Sequence, residues 1–423
     1  MKFFSLNGSP EAVTFQQAMR RGLAPDRGLY FPEQIPVLPE DFWLQPATET
    51  LAGFGSGMLE NFWGQDAELF NLLDSALDFP VELRELSDWM PGAYVLELFH
   101  GPTAAFKDVG ARVMSRLLSA SSDERLTVLV ATSGDTGSAV AQGFVGMPNI
   151  DVVILYPSGR ISKIQEQQLT TVGENVQALE VTGSFDDCQA MVKAAFLDRD
   201  LQAHRPLTSA NSINVARWMP QAIYYAWANF LLGEPAHFVV PSGNLGNLAA
   251  GVLAAKMGMP AKSFTAATNA NDVFPQYLSD GTFKARPSVA TLSNAMDVGD
   301  PSNRPRLEKL CGGTEAMQKA IRGAALNDEE TLDAMRKVYD STGYIACPHT
   351  AVGLEVGRRI HGASEGPVVM LATADPAKFG SVVEQAIAIQ PPVPQALQEC
   401  MSREKRSTII GPSLDELKAF LMA

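Results

Sequence analysis

The stretch Phe238–Gly251, FVVPSGNLGNLAAG, decides the fold. An apolar, β-branched run leads into Pro-Ser-Gly-Asn-Leu-Gly-Asn, and a small-residue helix pattern, LAAGVLAAKMG, follows. A strand, a glycine turn and a helix start in that order aim free backbone N–H groups at one point. The positive end of the helix dipole adds to them, so a phosphate is the natural guest. The loop is not a nucleoside-triphosphate loop. That motif needs four residues between its glycines and a Gly-Lys-Ser/Thr ending, whereas two residues separate Gly243 from Gly246 and no lysine follows. It also lacks the three glycines of the dinucleotide fingerprint. On its own such a loop is equally a plain tight βα turn, so the anion has to be identified from the rest of the chain.

Two other segments share the rhythm: RLTVLVATSGDTGSAVAQGF and PVVMLATADPAKFGSVVEQAI, with the further β-branched run DVVILYP after the first. Near-continuous apolar strands alternating with helix patterns predict an α/β fold with parallel sheets covered on both faces. Ligands in such folds collect at the carboxyl ends of the strands, where TSGDTG, SGNLGN and TADPAKF fall. The first 90 residues differ. They are rich in Trp and Phe, with Pro32, Pro36, Pro39 and Pro46 and helix-like stretches such as LPEDFWLQPATETLAGF. At the other end, QPPVPQ (390–395) reads as a hinge before a tail, and Ser413 and Glu416 have capping-box spacing for a last helix.

Composition narrows the partners. The 423 residues, 46% hydrophobic and 19% charged, suit an enzyme-sized globular chain of two domains or one large core. A net charge of −14 argues against nucleic acid and anionic membranes, though not against an anionic metabolite held by local donors. No signal-peptide pattern opens the chain, and no window approaches the roughly 20 apolar residues of a membrane span. Cys188, Cys311, Cys347 and Cys400 are scattered without paired spacing, which suits reduced thiols and a cytoplasmic location. Cys347 and His349 form one close Cys/His pair, and two ligands do not make a zinc site, so no metal is expected.

The sharpest local anomaly is ELFHGPTAAFKDVGARVMSRLL, residues 97–118. Lys107 falls in the first turn of a helix whose apolar face carries Phe106, Val109, Val113, Met114, Leu117 and Leu118. A cation there opposes the helix dipole, at a cost of about 0.3–1 kcal/mol. Either a solvent-facing lysine tolerates that cost, or the amine is not a permanent cation. A positive dipole end and apolar walls favour the neutral amine, which attacks a carbonyl. A cofactor carrying both an aldehyde and a phosphate explains both anomalies, with Lys107 taking one end and the Gly243–Asn247 loop the other. Pyridoxal 5′-phosphate is such a cofactor.

HGPTAAFKD, ATSGDTG, SANSINVAR and PSGNLGN, in this order and spacing, resemble the threonine synthases; RGLAPDRGLYFPE and GSFDDCQ extend the likeness over essentially the whole chain. The resemblance implies a two-lobed fold type II pyridoxal-phosphate enzyme with an N-terminal helical extension. Its expected divisions are the extension (1–90), a lobe with the Schiff-base lysine and TSGDTG (91–218), a lobe with the glycine loop (219–390), and a C-terminal tail and helix (391–423). It implies that Lys107 carries the cofactor and shuttles protons, and that the N–H groups of Gly243, Asn244, Leu245, Gly246 and Asn247 cradle its phosphate. Asp135 is implied near the ring hydroxyl and Thr373 at the pyridine nitrogen. Thr132, Ser133, Gly134 and Thr136 suit the substrate carboxylate, or simply cap the helix that follows. Arg217, with Ser212 and Asn214, suits a second phosphate on the substrate, since a guanidinium fork donates two bonds to one phosphate; a surface helix arginine is the plainer alternative. Arg160 and Lys163 are weaker candidates, and His100 and His349 are read as structural.

The reaction so implied turns O-phospho-L-homoserine and water into L-threonine and phosphate, by loss of phosphate from the γ carbon and addition of water at the β carbon, in a monomer or homodimer. Two positions depart from the family pattern: Asp375 stands where many relatives have histidine, and Asn247 ends a loop that often ends in Asp. A phospho-lyase releasing a 2-oxo acid, a serine/threonine dehydratase and a non-catalytic binding protein are the competing readings. The product separates the first, the Arg217 cluster the second and an intact Lys107 the third.

Overall fold

The computed structural model describes residues 1–44 and 49–422, so Pro46 and the middle of its helix-like stretch lie outside the described residues. The chain forms two compact units, and neither is a continuous block of sequence. One unit takes Met1–Glu33, Lys107–Arg217 and Pro394–Ala423; the other takes Gln34–Phe106 and Trp218–Val393. The expected extension over 1–90 is therefore not a body of its own. Its first part is a small α/β element in which Phe3–Ser5 pairs antiparallel with Tyr30–Pro32 around the helix Phe15–Arg21. The remainder, with helices Leu51–Trp63 and Leu69–Ala76, belongs to the other unit.

The unit that includes Lys107 is built on a five-stranded sheet in the order Thr408–Ile410, Val176–Val181, Ile150–Pro157, Leu126–Ala131, Leu207–Thr208. Every pairing in it is parallel. Leu129, Val153, Leu155 and Leu179 meet Cys188, Met191 and Leu417 from the covering helices in one apolar core. These strands are apolar on both faces because helices cover both. The tail beyond QPPVPQ does more than end in a helix: Thr408–Ile410 returns as an edge strand, tied down by Lys405 Nζ to Glu180 (2.6 Å) and Glu166 (2.7 Å). From Leu126–Ala131 the chain winds outward one way through Ile150–Pro157 and Val176–Val181, then returns to the other side as Leu207–Thr208. Strand order therefore reverses at Leu126–Ala131, and the loops leaving it and Leu207–Thr208, TSGDTG and SANSINVAR, emerge side by side.

The second unit has a six-stranded sheet in the order Ile321–Ala325, Ala261–Thr268, Ala236–Pro241, Val368–Ala372, Ala93–Glu97, Glu82–Glu85. All pairs are parallel except the antiparallel edge Glu82–Glu85. Here order reverses between Ala236–Pro241 and Val368–Ala372, which brings SGNLGN next to TADPAKF. Val95, Val239, Met370 and Ala372 pack beneath Ala351, Leu354 and Val383 of the covering helices. Among the described residues no helix is long and apolar enough to cross a membrane. No disulfide joins the four cysteines, and burial pushes the Cys188 thiol up to about 12.

At the start of the strand that leads to the glycine loop, His237 lies against His361 with ring centroids 4.5 Å apart. His361 Nε2 meets Thr265 Oγ1 at 2.9 Å, and His237 Nδ1 meets Ser263 Oγ at 2.7 Å. Burial, with the charges of His237 and Arg322, pushes His361 down to about 4; burial, with Lys262 and Arg322, lowers His237. The unfolded chain takes up these protons first, near the ordinary value of 6.5. Their contribution to stability is thus complete above that pH and lost as pH falls towards 4. The urea midpoint should drop between pH 7 and pH 5, and His361→Gln, which keeps a hydrogen-bonding side chain but cannot titrate, should flatten the drop. An equal drop in both proteins would show that the pair does not set the acid limit.

Candidate active site

In the first unit, Lys107 is the first residue of the helix Lys107–Ala120 and is half-buried. Its carbonyl accepts a hydrogen bond from Arg217 Nη1 (2.9 Å), while Arg217 Nε donates to Ala210 O (2.7 Å). Arg217, 4% exposed, thus staples the SANSINVAR loop to the peptide of Lys107. Gly110 makes this approach possible: a Cβ there would lie 2.5 Å from the Arg217 carbonyl oxygen. Asn214 is spent on its own loop. Its Nδ2 donates to Met19 O (2.8 Å) and Ser209 O (2.9 Å), and its Oδ1 accepts from Ala216 N (3.0 Å). Asn211 Nδ2 reaches across to Ala131 O at 3.3 Å and joins the two loops at the reversal point.

Within TSGDTG, the buried Thr132 Oγ1 accepts from Gly134 N (3.0 Å) and Gly137 N (2.8 Å), the capping role open to it from sequence. Asp135 is buried in the first turn of Asp135–Phe144, and its Oδ1 accepts from Gln165 Nε2 at 2.9 Å. Gln165 Oε1 is taken by Ser162 N (3.2 Å), which fixes the amide so that its NH2 faces Asp135. Sequence reading saw no role for Gln165 at the site. Its only trace is the S-x-x-Q capping box, which announces a helix start and not the second bond. Ser133 is exposed, and Thr136 and Ser212 are half-buried. Arg160 and Lys163 are both exposed.

In the second unit the glycine loop leads into the helix Gly246–Lys256, whose start has no side-chain cap. Leu245, at φ 61, and Ala104, at φ 55 in the loop before Lys107, are two of six non-glycine residues with left-handed backbone among the described residues. Such strain persists only where surrounding contacts enforce it. Gly243 abuts another segment so closely that a Cβ would sit 2.9 Å from Met296 Cα. That segment, SNAMDVGDPSN (293–303), grips the loop: Asn303 N (3.2 Å) and Nδ2 (3.1 Å) donate to Asn244 O, and Ser302 N and Oγ (both 3.3 Å) reach Asn244 Oδ1. A run of Asp, Gly, Pro, Ser and Asn signals a turn, but nothing in it signals what it touches. Tyr224 and Tyr225 hydroxyls each lie 2.7 Å from Asn247 Oδ1. That is an O–H···O length, so the oxygen faces the tyrosines and the amide NH2 faces away. The buried Nδ2 of Asn247 has no protein partner.

Thr373 is buried, and its carbonyl accepts from Phe106 N at 2.9 Å. Asp375 N donates to Ala104 O (3.1 Å), and Lys378 Nζ to Thr103 O (2.9 Å). The loop that ends at Lys107 is thereby laid along TADPAKF. The Asp375 carboxylate turns onto its own backbone and accepts from Ala377 N at 2.8 Å; burial raises its pKa. His100 pairs with Glu97 (2.8 Å), which holds its pKa up. His349 Nε2 accepts from Ala295 N at 3.1 Å, with its ring against Phe379.

A family model described as pyridoxal-phosphate dependent enzyme matches residues 81–374, and models for the threonine synthase N terminus and C-terminal region match 2–75 and 350–421. The chain belongs to the threonine synthase family. It is 41% identical to the threonine synthase of Haemophilus influenzae over the whole of both chains, and 40% identical to that of Escherichia coli over 94% of each. Among solved structures, threonine synthase from Escherichia coli superposes with a TM-score of 0.92 (38% identity, 100% of this chain and 99% of that one). The pyridoxal-phosphate-bound enzyme from Brucella melitensis gives 0.93 (33%, 100% and 99%). A maize serine racemase, at 16% identity, a TM-score of 0.58 and 74% of this chain, shares the fold alone.

The residues present fit pyridoxal phosphate. An uncapped helix start, a neighbouring carbonyl drawn back by Asn303 and the unpartnered Asn247 amide together suit a phosphate. Asn214 and Arg217, expected on the substrate phosphate, also hold their own loop in shape, through Asn214's amide and two donors of Arg217. Gly110→Ala tests that packing. Its methyl meets backbone, which cannot rotate away, so the apo chain should lose about 1–3 kcal/mol in urea denaturation; an unchanged midpoint would show that Arg217 does not lean on this helix.

Proposed function

We infer that the chain catalyses the conversion of O-phospho-L-homoserine and water into L-threonine and phosphate. One observation carries this choice over other reactions of the fold. The match to threonine synthases runs through both end modules, whereas four solved proteins of the same fold with other activities, two racemases, a deaminase and an ammonia-lyase, match 72–76% of this chain.

Pyridoxal phosphate, when bound, supplies the electron sink that lets a proton leave the carbon next to the substrate amine. Lys107 Nζ would hold the cofactor's aldehyde carbon and, as a free amine, carry the protons leaving the substrate's Cα and Cβ. Arg217 would keep that lysine on station through its peptide carbonyl. Gly243 to Asn247 would bind the cofactor phosphate through backbone N–H groups, with Asn247 Nδ2 as an added donor. Asp135, oriented by Gln165, would face the ring hydroxyl, and Thr373 the ring nitrogen, where a neutral hydroxyl does not demand a protonated ring. Gly134 would offer its backbone, and Ser133, Thr136 and Ser212 their hydroxyls, to the substrate's carboxylate and phosphate. The buried, self-capped Asp375 acts here as a turn former. A cytoplasmic location and a monomer or homodimer complete the reading.

The test incubates cofactor-loaded protein with O-phospho-L-homoserine and quantifies phosphate, threonine and 2-oxobutyrate in the same samples. Phosphate and threonine should appear one for one. 2-Oxobutyrate in place of threonine would make the chain a phospho-lyase, with Asp375→His the first variant to assay. Lys107→Ala should abolish turnover, and retained turnover would end the mechanism. Arg217→Lys, which cannot reach both carbonyls with one planar fork, should lower kcat/KM by about 100-fold through a misplaced lysine.

A further inference from the structure

Arg306 lies in the helix Arg304–Cys311, fully buried, with its guanidinium 4.5 Å from the centre of the Trp218 ring. Its Nη1 donates to Asn303 Oδ1 at 2.6 Å. Arginine carries no acceptor, so this bond admits one orientation of the Asn303 amide: oxygen to Arg306, NH2 away from it. The NH2 so directed, with the Asn303 backbone N–H, takes the carbonyl of Asn244. A loop that cradles an anion must turn its carbonyls away while its N–H groups face inward. The Asn244 carbonyl, inside SGNLGN, is turned by Asn303.

We propose that Arg306 is a positioning residue for the cofactor phosphate: it locks the Asn303 amide, and Asn303 draws back the Asn244 carbonyl so that the loop presents donors to an anion. The proposal rests on the assignment of this loop to the phosphate of pyridoxal phosphate. Burial pushes the Arg306 guanidinium down to about 9, so it is still a cation at neutral pH. A desolvated positive charge thus stands behind the loop, and it gains when a dianion binds there. The cation–π contact with Trp218 holds the guanidinium plane in place. Lysine cannot substitute, because an ammonium neither stacks on the indole nor holds a fixed fork.

The experiment measures equilibrium binding of pyridoxal phosphate and of pyridoxal, which lacks the phosphate, to apo protein by fluorescence quenching. It compares wild type, Arg306→Lys, Arg306→Met and Asn303→Asp. Asn303→Asp guards against a misfolded arginine variant, since its carboxylate still pairs with Arg306 yet cannot donate to Asn244 O. Pyridoxal phosphate should bind each variant roughly ten- to a hundredfold more weakly, the size of one hydrogen bond to a charged group. Pyridoxal should bind as to wild type within about twofold. A variant that weakens both ligands equally, or neither, overturns the proposal. Wild type that binds the two ligands equally overturns instead the assignment of the loop to the phosphate.

Discussion

A helix that begins on a lysine works against its own dipole, and the structure around Lys107 is organised by that constraint. The cost is small, about 0.3–1 kcal/mol, but it favours a lysine that drifts out of the first turn unless its backbone is held. Holding it falls to groups far away in sequence. In one unit Arg217 bonds the Lys107 carbonyl and Gly110 leaves room for it. In the other, Thr373 O, Asp375 N and Lys378 Nζ fix Phe106, Ala104 and Thr103, the residues leading up to it. Each unit holds its own side of one peptide bond. The placement of Lys107 is therefore backbone work, shared between two side chains that bond carbonyls, Arg217 and Lys378, and two main-chain bonds.

The same economy recurs at the glycine loop and at TSGDTG. In each, a buried amide has one end pinned so that the other end points where it is needed: Gln165 by Ser162 N, Asn303 by Arg306, Asn247 by two tyrosine hydroxyls. An unpinned amide can rotate by half a turn at little cost and present the wrong charge. Pinning removes that freedom before a ligand arrives, which is what preorganisation means for a polar site. Buried polar groups are costly unless satisfied, so each pin also accounts for an atom that would otherwise destabilise the fold.

These arrangements mark the boundary of what the sequence discloses. The parallel sheets were legible, because apolar runs, glycine turns and small-residue helices are local signals and each strand carries its own. Lys107 and SGNLGN were legible because they break local rules, a cation at a helix start and a run of turn residues. The partition of the chain was not. It depends on where strands pair, and Thr408–Ile410 joins Val176–Val181 across more than two hundred residues with nothing in either to say so. Arg217 and Asn214 could be seen as polar residues near a loop, but their partners are main-chain carbonyls, which every residue possesses. A side chain that bonds backbone leaves no complementary residue to recognise, and Asn303 and Lys378 went unseen for that reason.

Charge is where local and global readings part most clearly. A chain of net charge −14 ought to repel an anionic cofactor and an anionic substrate alike. Yet most of that charge is at the surface, where screening confines its reach to about 8–10 Å at physiological ionic strength. The donors of the glycine loop are neutral backbone and amide groups, backed by the buried Arg306, and none of these is weakened by bulk salt as a surface lysine would be. Asn247 sharpens the point, because an aspartate at that position would set a carboxylate among the groups we assign to a phosphate. A few desolvated donors inside a site, and not the net charge of the surface, set the local field that an anion meets.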